Sequence, residues 1–378
     1  MESDRLRLVP ATLAALVALL LPPLSSADEP DWRSLDELAK GHVRRAAPPD
    51  NETTDAPADS PVPSHESTLG GSRGEAEARR VNPFRAPAPP KPWNVSLILE
   101  GQFDTNAVAP TEIIAPGAID LVGTWLMTTV LSGGYEFRPN DDLEIHLDAL
   151  WYAEYHDRYA KFDLDSVKFS PWAQWWLTPM LSVGVKGAGT WQTLGGEPLL
   201  SVLEGGPFAT YAEGDWTQTT LAYAYKNKEY DFETLPNPLD PDSSRHTVSI
   251  SQDVLLPETS WIASLSYALS AVDADGSDYD CDLHLVTLSI GGPLALGVKT
   301  SFETSLLVAP FHHDNLLSFP PFTEDREDKV MRFTVRLERA IMEHLSVYGY
   351  AMHMDNDSTL RAYTYDREMY GFGLVLYW

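Results

Sequence analysis

The stretch YGFGLVLYW (370–378) contains no charged residue, in a chain of 378 residues whose formal net charge is −28. Every second residue, Tyr370, Phe372, Leu374, Leu376 and Trp378, is large and apolar, while Met369, Gly371, Gly373, Val375 and Tyr377 fill the positions between. A period of two is the signature of a strand with two different faces, and here one face suits hydrocarbon. The same pattern recurs upstream. WNVSLILEGQF (93–103) sets Trp93, Val95, Leu97 and Leu99 against Asn94, Ser96 and Glu100. LEIHLDALWYAEY (143–155) sets Leu143, Ile145, Leu147, Ala149 and Trp151 against Glu144, His146, Asp148, Tyr152 and Glu154. Near the other end, VMRFTVRLER (330–339) sets Met331, Phe333, Val335 and Leu337 against Arg332, Thr334, Arg336 and Glu338.

The connections between these segments alternate in length. Tight turns are expected at 138–142, 178–180, 213–216, 256–260, 291–294 and 340–344, most of them with Gly, Pro, Asn or Asp at the bend. Longer polar loops are expected near 107–119, 157–164, 194–206, 232–244, 273–279, 310–328 and 355–362. Turns and loops interleaved in this way predict about fourteen antiparallel strands over 93–378, longer than the roughly five or six residues usual in soluble sheets. The fold class expected is all-β: a transmembrane, antiparallel up-and-down β-barrel with short turns on one rim and long loops on the other. A soluble sandwich would explain the alternation of side chains but not the alternation of loop lengths.

The last nine residues resemble the C-terminal assembly signal of Gram-negative outer-membrane proteins, with Trp378 in the place where Phe is more usual. The resemblance implies the barrel-assembly machinery and outer-membrane lipid as partners, and the bacterial outer membrane as the location. A second resemblance lies in LEGQFDTNAVAP (99–110). There Phe103-Asp104-Thr105-Asn106-Ala107 is similar to a first-strand element of surface lipoprotein assembly modifiers and of repeat-linked export barrels. It implies kinship of the barrel; the helical-repeat domain that recruits cargo in those families has no counterpart in the sequence.

Residues 1–27 read as a secretory signal: Arg5 and Arg7, an uncharged stretch led by Ala11 to Leu21, and Ser25-Ser26-Ala27 before Asp28. Pro22-Pro23 leaves the run short of the roughly 20 residues that a spanning helix needs. Residues 28–92 hold eleven prolines and only two aromatics, Trp32 and Phe84, so that this segment is expected to be disordered and periplasmic. Cys281 is the only cysteine, which excludes an intrachain disulfide.

The polar faces define the expected lining of the barrel. Glu100, Glu136, Glu144, Asp148 and Glu154 on the first three strands form an acidic wall, and Lys299, Arg332 and Arg336 on the eleventh and twelfth form a basic one, expected on roughly opposite sides. The barrel region carries 41 acidic and 16 basic residues, which disfavours nucleic acid and favours cations near the mouths. DADGSDYDCD (273–282) lacks the EF-hand spacing, since Gly276 stands fourth rather than sixth, and His312-His313 offers no fixed metal geometry. No metal or cofactor is expected. Neither HMDNDS (353–358) nor HTVS (246–249) supplies a catalytic arrangement, so the chain is expected not to be an enzyme. The function expected is a porin-like, passive or semi-selective, cation-preferring diffusion channel for small solutes or ions. The alternatives are a non-conducting barrel that binds a partner through its acidic loops, and an export conduit for a lipoprotein or glycan.

Overall fold

The computed structural model describes residues 92–378 except 108–121, 158–162, 214–215, 232–239, 257–258, 277–278, 313–325 and 361–363. The expected signal (1–27) and, apart from Pro92, the Pro-rich segment (28–92) lie outside the described residues.

Fourteen strands follow in chain order: β1 (Trp93–Ala107), β2 (Val122–Asn140), β3 (Leu143–His156), β4 (Leu164–Trp176), β5 (Leu181–Leu194), β6 (Glu197–Glu213), β7 (Thr217–Tyr230), β8 (Ser243–Leu256), β9 (Trp261–Ala274), β10 (Cys281–Pro293), β11 (Val298–Pro310), β12 (Glu327–Met342), β13 (Leu345–Ser358) and β14 (Tyr365–Tyr377). Each pairs antiparallel with its neighbours in sequence, and β1 pairs with β14, so the sheet is a closed barrel. The closing register runs from Ser96↔Tyr377 to Asp104↔Met369. It is extended by Trp378, whose N–H donates to the Val95 carbonyl at 3.0 Å. Closure leaves no unpaired edge, the condition for a sheet to survive in hydrocarbon.

Local chemistry sets the turns on the short rim. Asn140 Oδ1 accepts from the N–H groups of Asp142 and Leu143, both at 2.9 Å, and fixes the β2–β3 hairpin. Thr178 Oγ1 does the same for Met180 and Leu181 between β4 and β5, at 3.2 and 3.0 Å. One expected long loop is not there. Residues 194–206 belong largely to β6, and β5 turns into it through Gly195-Gly196 alone, with φ of 56° and 89°. Two consecutive residues at positive φ match the twist of a two-residue hairpin, and glycine adopts them without steric cost.

The alternation of side chains places one set outside and the other within. Outside, large apolar residues lie open on every part of the circumference, among them Met127, Leu147, Phe169, Val185, Leu203, Leu221, Ile250, Leu265, Leu288, Leu306, Val335, Phe372 and Leu374. Trp93, Tyr135, Phe137, Trp175, Tyr211, Trp216 and Trp378 mark the short-turn rim of this belt, and Trp125, Trp151, Tyr155 and Trp191 its opposite rim. An apolar band between two aromatic girdles is the surface of a transmembrane barrel. Inside, two apolar clusters share the wall with polar groups: one built on Ile98, Val130, Leu150, Leu164 and Leu200, the other on Val272, Leu283, Leu307, Val330, Met352, Met354 and Met369.

Candidate functional site

The inner wall is where solute would meet protein, and its charged residues are read from the register. Glu100, Glu136, Glu144, Asp148 and Glu154 all lie on the inward positions of β1–β3, and Lys299, Arg332 and Arg336 on those of β11 and β12. The two groups are not on opposite walls. Because β1 closes onto β14, β12 stands only three strand positions from β1, and the acidic and basic sets run into each other across the seam.

Short-range partners hold most of these groups, four of them in ion pairs with Arg138, Glu303 and Glu338. Arg138 bridges Glu136 at 2.5 Å and Glu144 at 2.8 Å. His146, stacked on Trp172 with ring centroids 3.9 Å apart, lies 3.7 Å from Glu136. Glu154, fully buried, accepts from the Tyr152 hydroxyl at 2.5 Å. Arg332 reaches Glu303 at 2.9 Å and Arg336 reaches Glu338 at 3.2 Å. Asp148 Oδ1 stands against the α-carbon of Gly134, where an added β-carbon would come within 2.8 Å of it. Lys299 is exposed at the short-turn rim, paired in register with Glu338.

The seam carries a device that the reading of outward faces missed. Tyr348 pairs with Gly373, which pairs with Glu100; Tyr350 pairs with Gly371, which pairs with Gln102. With no side chain on β14 at those two inward positions, each tyrosine lies across the glycine and reaches the strand beyond. The Tyr348 hydroxyl donates to Glu100 Oε2, and the Tyr350 hydroxyl lies 2.8 Å from Glu100 Oε1 and 2.9 Å from Gln102 Oε1. Arg336 covers the Tyr348 ring, 3.6 Å from its centroid, which joins the basic residue of β12 to the acidic residue of β1. Higher on the seam, Arg367 and Asp104 meet at 3.5 Å with both side chains fully buried. Tyr370, Phe372, Leu374, Leu376 and Trp378 lie on the outward positions of the closing strand and its end, with Phe372 67% and Trp378 53% exposed.

A second arc of charge, on β4–β8, was not singled out from the sequence. Lys168, Lys186, Lys226, Lys228 and Arg245 occupy inward positions there, against the inward carboxylates Glu204 and Asp253. Lys226 pairs with Glu204 at 3.3 Å. Lys168 and Lys186 sit singly in the mixed segments DSVKFSPW and VGVKGAG, and only Lys226 and Lys228 lie close together, so no long run of charge announces the arc; it exists only once the strands are side by side.

At the long-loop rim, carboxylates crowd. Asp242 accepts from the Tyr230 N–H at 2.7 Å, yet burial, with Asp240, Asp275 and Glu229 nearby, holds its carboxyl above the ordinary range. His312 Nε2 lies 3.2 Å from Asp282 Oδ2. Among the described residues no group of three or more His, Cys, Asp or Glu is placed to hold a metal ion.

These features define the class: a closed fourteen-stranded transmembrane barrel with a polar and charged inner wall. No family model matches the chain, and no curated protein matches it. Among solved structures it is similar to the anion-selective porin from Comamonas acidovorans, at 9% identity over 76% of this chain and 98% of that one, with a TM-score of 0.43. A loop-deletion form of OmpT, an outer membrane protein of Vibrio cholerae, matches at 10% identity over 76% and 98%, with a TM-score of 0.42. The CymD monoaromatic hydrocarbon channel matches at 8% identity over 80% and 92%, also at 0.42. At these values the likeness is one of barrel architecture, and the class rests on the chain's own register.

Proposed function

We propose that this chain is a porin-like barrel of the bacterial outer membrane, delivered by a cleaved signal, inserted by the barrel-assembly machinery, and acting as a passive or semi-selective diffusion channel for small solutes or ions. The observation that carries the reading is the inner wall: a ring of fourteen strands lined by Glu100, Glu136, Lys168, Lys186, Lys226, Arg245, Glu303, Arg332 and Arg336, with hydrocarbon-compatible side chains outside. The chain is not an enzyme in this reading, since those charged groups of the wall that have partners form ion pairs and tyrosine bonds rather than a nucleophile with its base. The test is conductance of the folded chain in a planar lipid bilayer. Stepwise, ohmic channels are expected; a barrel that inserts yet never conducts overturns the reading.

One observation favours a second reading. Asp104, Glu154, Arg367, Arg326 and Asp328 are all buried to within 1% of complete exclusion, so the interior is well packed at their level. A barrel filled there would be non-conducting, with its acidic loops free to bind a surface partner. Export of a lipoprotein or glycan has less support, because the first-strand similarity at Phe103–Ala107 comes without cargo-recruiting helical repeats in the described residues.

A further inference from the structure

Four inward side chains on β4 and β5 form a patch with no polar partner among the described residues. Ser166 pairs in register with Gln192, and Lys168 with Thr190. All four are buried: Ser166 is 2% exposed, Lys168 9%, Thr190 7% and Gln192 3%. Both amide atoms of Gln192 are shut off from solvent without a hydrogen bond. Lys226, an inward cation on β7, differs in that it has Glu204. Apolar residues frame most of the patch: Leu150 pairs with Lys168 on one side, and Leu200 and Val202 pair with Gln192 and Thr190 on the other, while Tyr152, whose hydroxyl is held by Glu154, pairs with Ser166. Leu150, Leu164 and Leu200 belong to one apolar cluster, with Leu194 and Val202 packed against it.

The Gln192 amide is expensive for a fold to keep unless something satisfies it, because a buried polar group without a partner carries its full desolvation penalty, and the unpaired Lys168 ammonium and the Ser166 and Thr190 hydroxyls stand beside it. The donors offered are the Lys168 ammonium, the Ser166 and Thr190 hydroxyls and the Gln192 amide. We propose that this patch is a binding site for an organic monocarboxylate. Its carboxylate accepts from Lys168 and the adjacent donors, and its apolar body lies on Leu150, Leu200 and Val202. A charge-assisted bond to the carboxylate supplies orientation, and burial of the body supplies affinity. Lys228 lies on the same ladder row, following Thr190 and Val202, and extends the positive field along the wall. The site needs the interior to be reachable by solute, and in that respect rests on the channel reading; binding and conduction are nevertheless measured separately.

The test is isothermal titration calorimetry of benzoate and hexanoate into the full chain folded in detergent, with benzylamine as the cationic counterpart of benzoate. Benzoate and hexanoate are expected to bind and benzylamine not to. Lys168→Met is expected to weaken benzoate binding by about tenfold or more, the loss of a charge-assisted bond, while Lys168→Arg keeps it within about threefold. Thr190→Val, which preserves shape, is expected to weaken it by a smaller factor. Heat-modifiable migration on a gel verifies that each variant is folded. Equal binding of benzylamine, an unchanged Lys168→Met, equal loss in Lys168→Arg and Lys168→Met, or no binding by the unmodified protein would each overturn the proposal. Conductance in the same preparations keeps the two ideas apart: channels without carboxylate binding sink the site alone, and binding without channels sinks the diffusion reading alone.

Discussion

Tyr348, Gly373 and Glu100 show how one absent side chain organises three strands. A β-carbon on Gly373 would come within 2.5 Å of Tyr348 Cζ, and one on Gly371 within 2.3 Å of Tyr350 Cε1, so both positions need glycine for their space rather than their backbone freedom. Gly373→Ala is expected to destabilise the barrel by about 1–3 kcal/mol, the usual range for overpacking, because the tyrosine must leave the seat from which it reaches Glu100. Tyr348→Phe keeps the packing and removes one of two tyrosine donors from the half-buried Glu100 carboxylate, at about 1–2 kcal/mol. Lower urea midpoints for loss of heat-modifiable migration in both variants would verify this; an unchanged midpoint in Gly373→Ala would contradict the crowding. The signal for this device was present in the sequence, as glycines alternating with apolar residues in 370–378 and tyrosines at 348 and 350, but it becomes legible only with the register that puts them in line. The same limitation explains the misplaced charge walls. Strands first and last in the chain are neighbours in a closed ring, so separation in sequence gave no measure of separation across the interior.

Among elements, β14 was the most readable, because an uninterrupted period of two over 370–378 admits one assignment of faces. Phe372 stands on its outward positions, near the middle of the strand, and is 67% exposed to what would be lipid. A lysine at mid-membrane on that face costs about 2–4 kcal/mol, so Phe372→Lys is expected to lower the folded fraction after insertion, while Phe372→Leu leaves it nearly unchanged. Equal yields of folded barrel from the two variants in lipid vesicles would show that the face does not meet hydrocarbon. The β5–β6 connection was the least readable. Polar and small residues from 194 to 206 suggested a long loop, but Gly195-Gly196 is a two-residue turn and Gly205-Gly206 lies within a strand. There the glycines serve close approach: a β-carbon on Gly206 would come within 2.0 Å of the Tyr223 carbonyl oxygen on β7. Composition alone does not separate a glycine that bends the chain from one that lets two strands draw near.

For the whole molecule, the question is where the net charge acts. The barrel region has 41 acidic and 16 basic residues, yet its inner wall is close to balanced: Arg138 answers Glu136 and Glu144, Arg367 answers Asp104, and β4–β8 offer five cations to Glu204 and Asp253. The acidic excess therefore belongs to the rims and connections, where Asp240, Asp242 and Asp275 already crowd one another. Charges at a mouth act through solvent and are screened, with a Debye length of about 10 Å at 0.1 M salt and about 3 Å at 1 M. If the barrel conducts, reversal potentials across a KCl gradient are expected to show cation preference at low ionic strength that fades toward 1 M. The combined substitution Asp240→Asn and Asp275→Asn should weaken that preference without changing conductance at 1 M. The wall makes the opposite demand. Lys168 has no ion pair among the described residues and is screened far less than a mouth carboxylate, so its field persists when that of the rims has gone. Cation preference that survives unchanged at 1 M would place the selecting charge inside and contradict this division, as would anion preference at every salt concentration, which would mean that the carboxylates at the mouth do not lie on the conduction path.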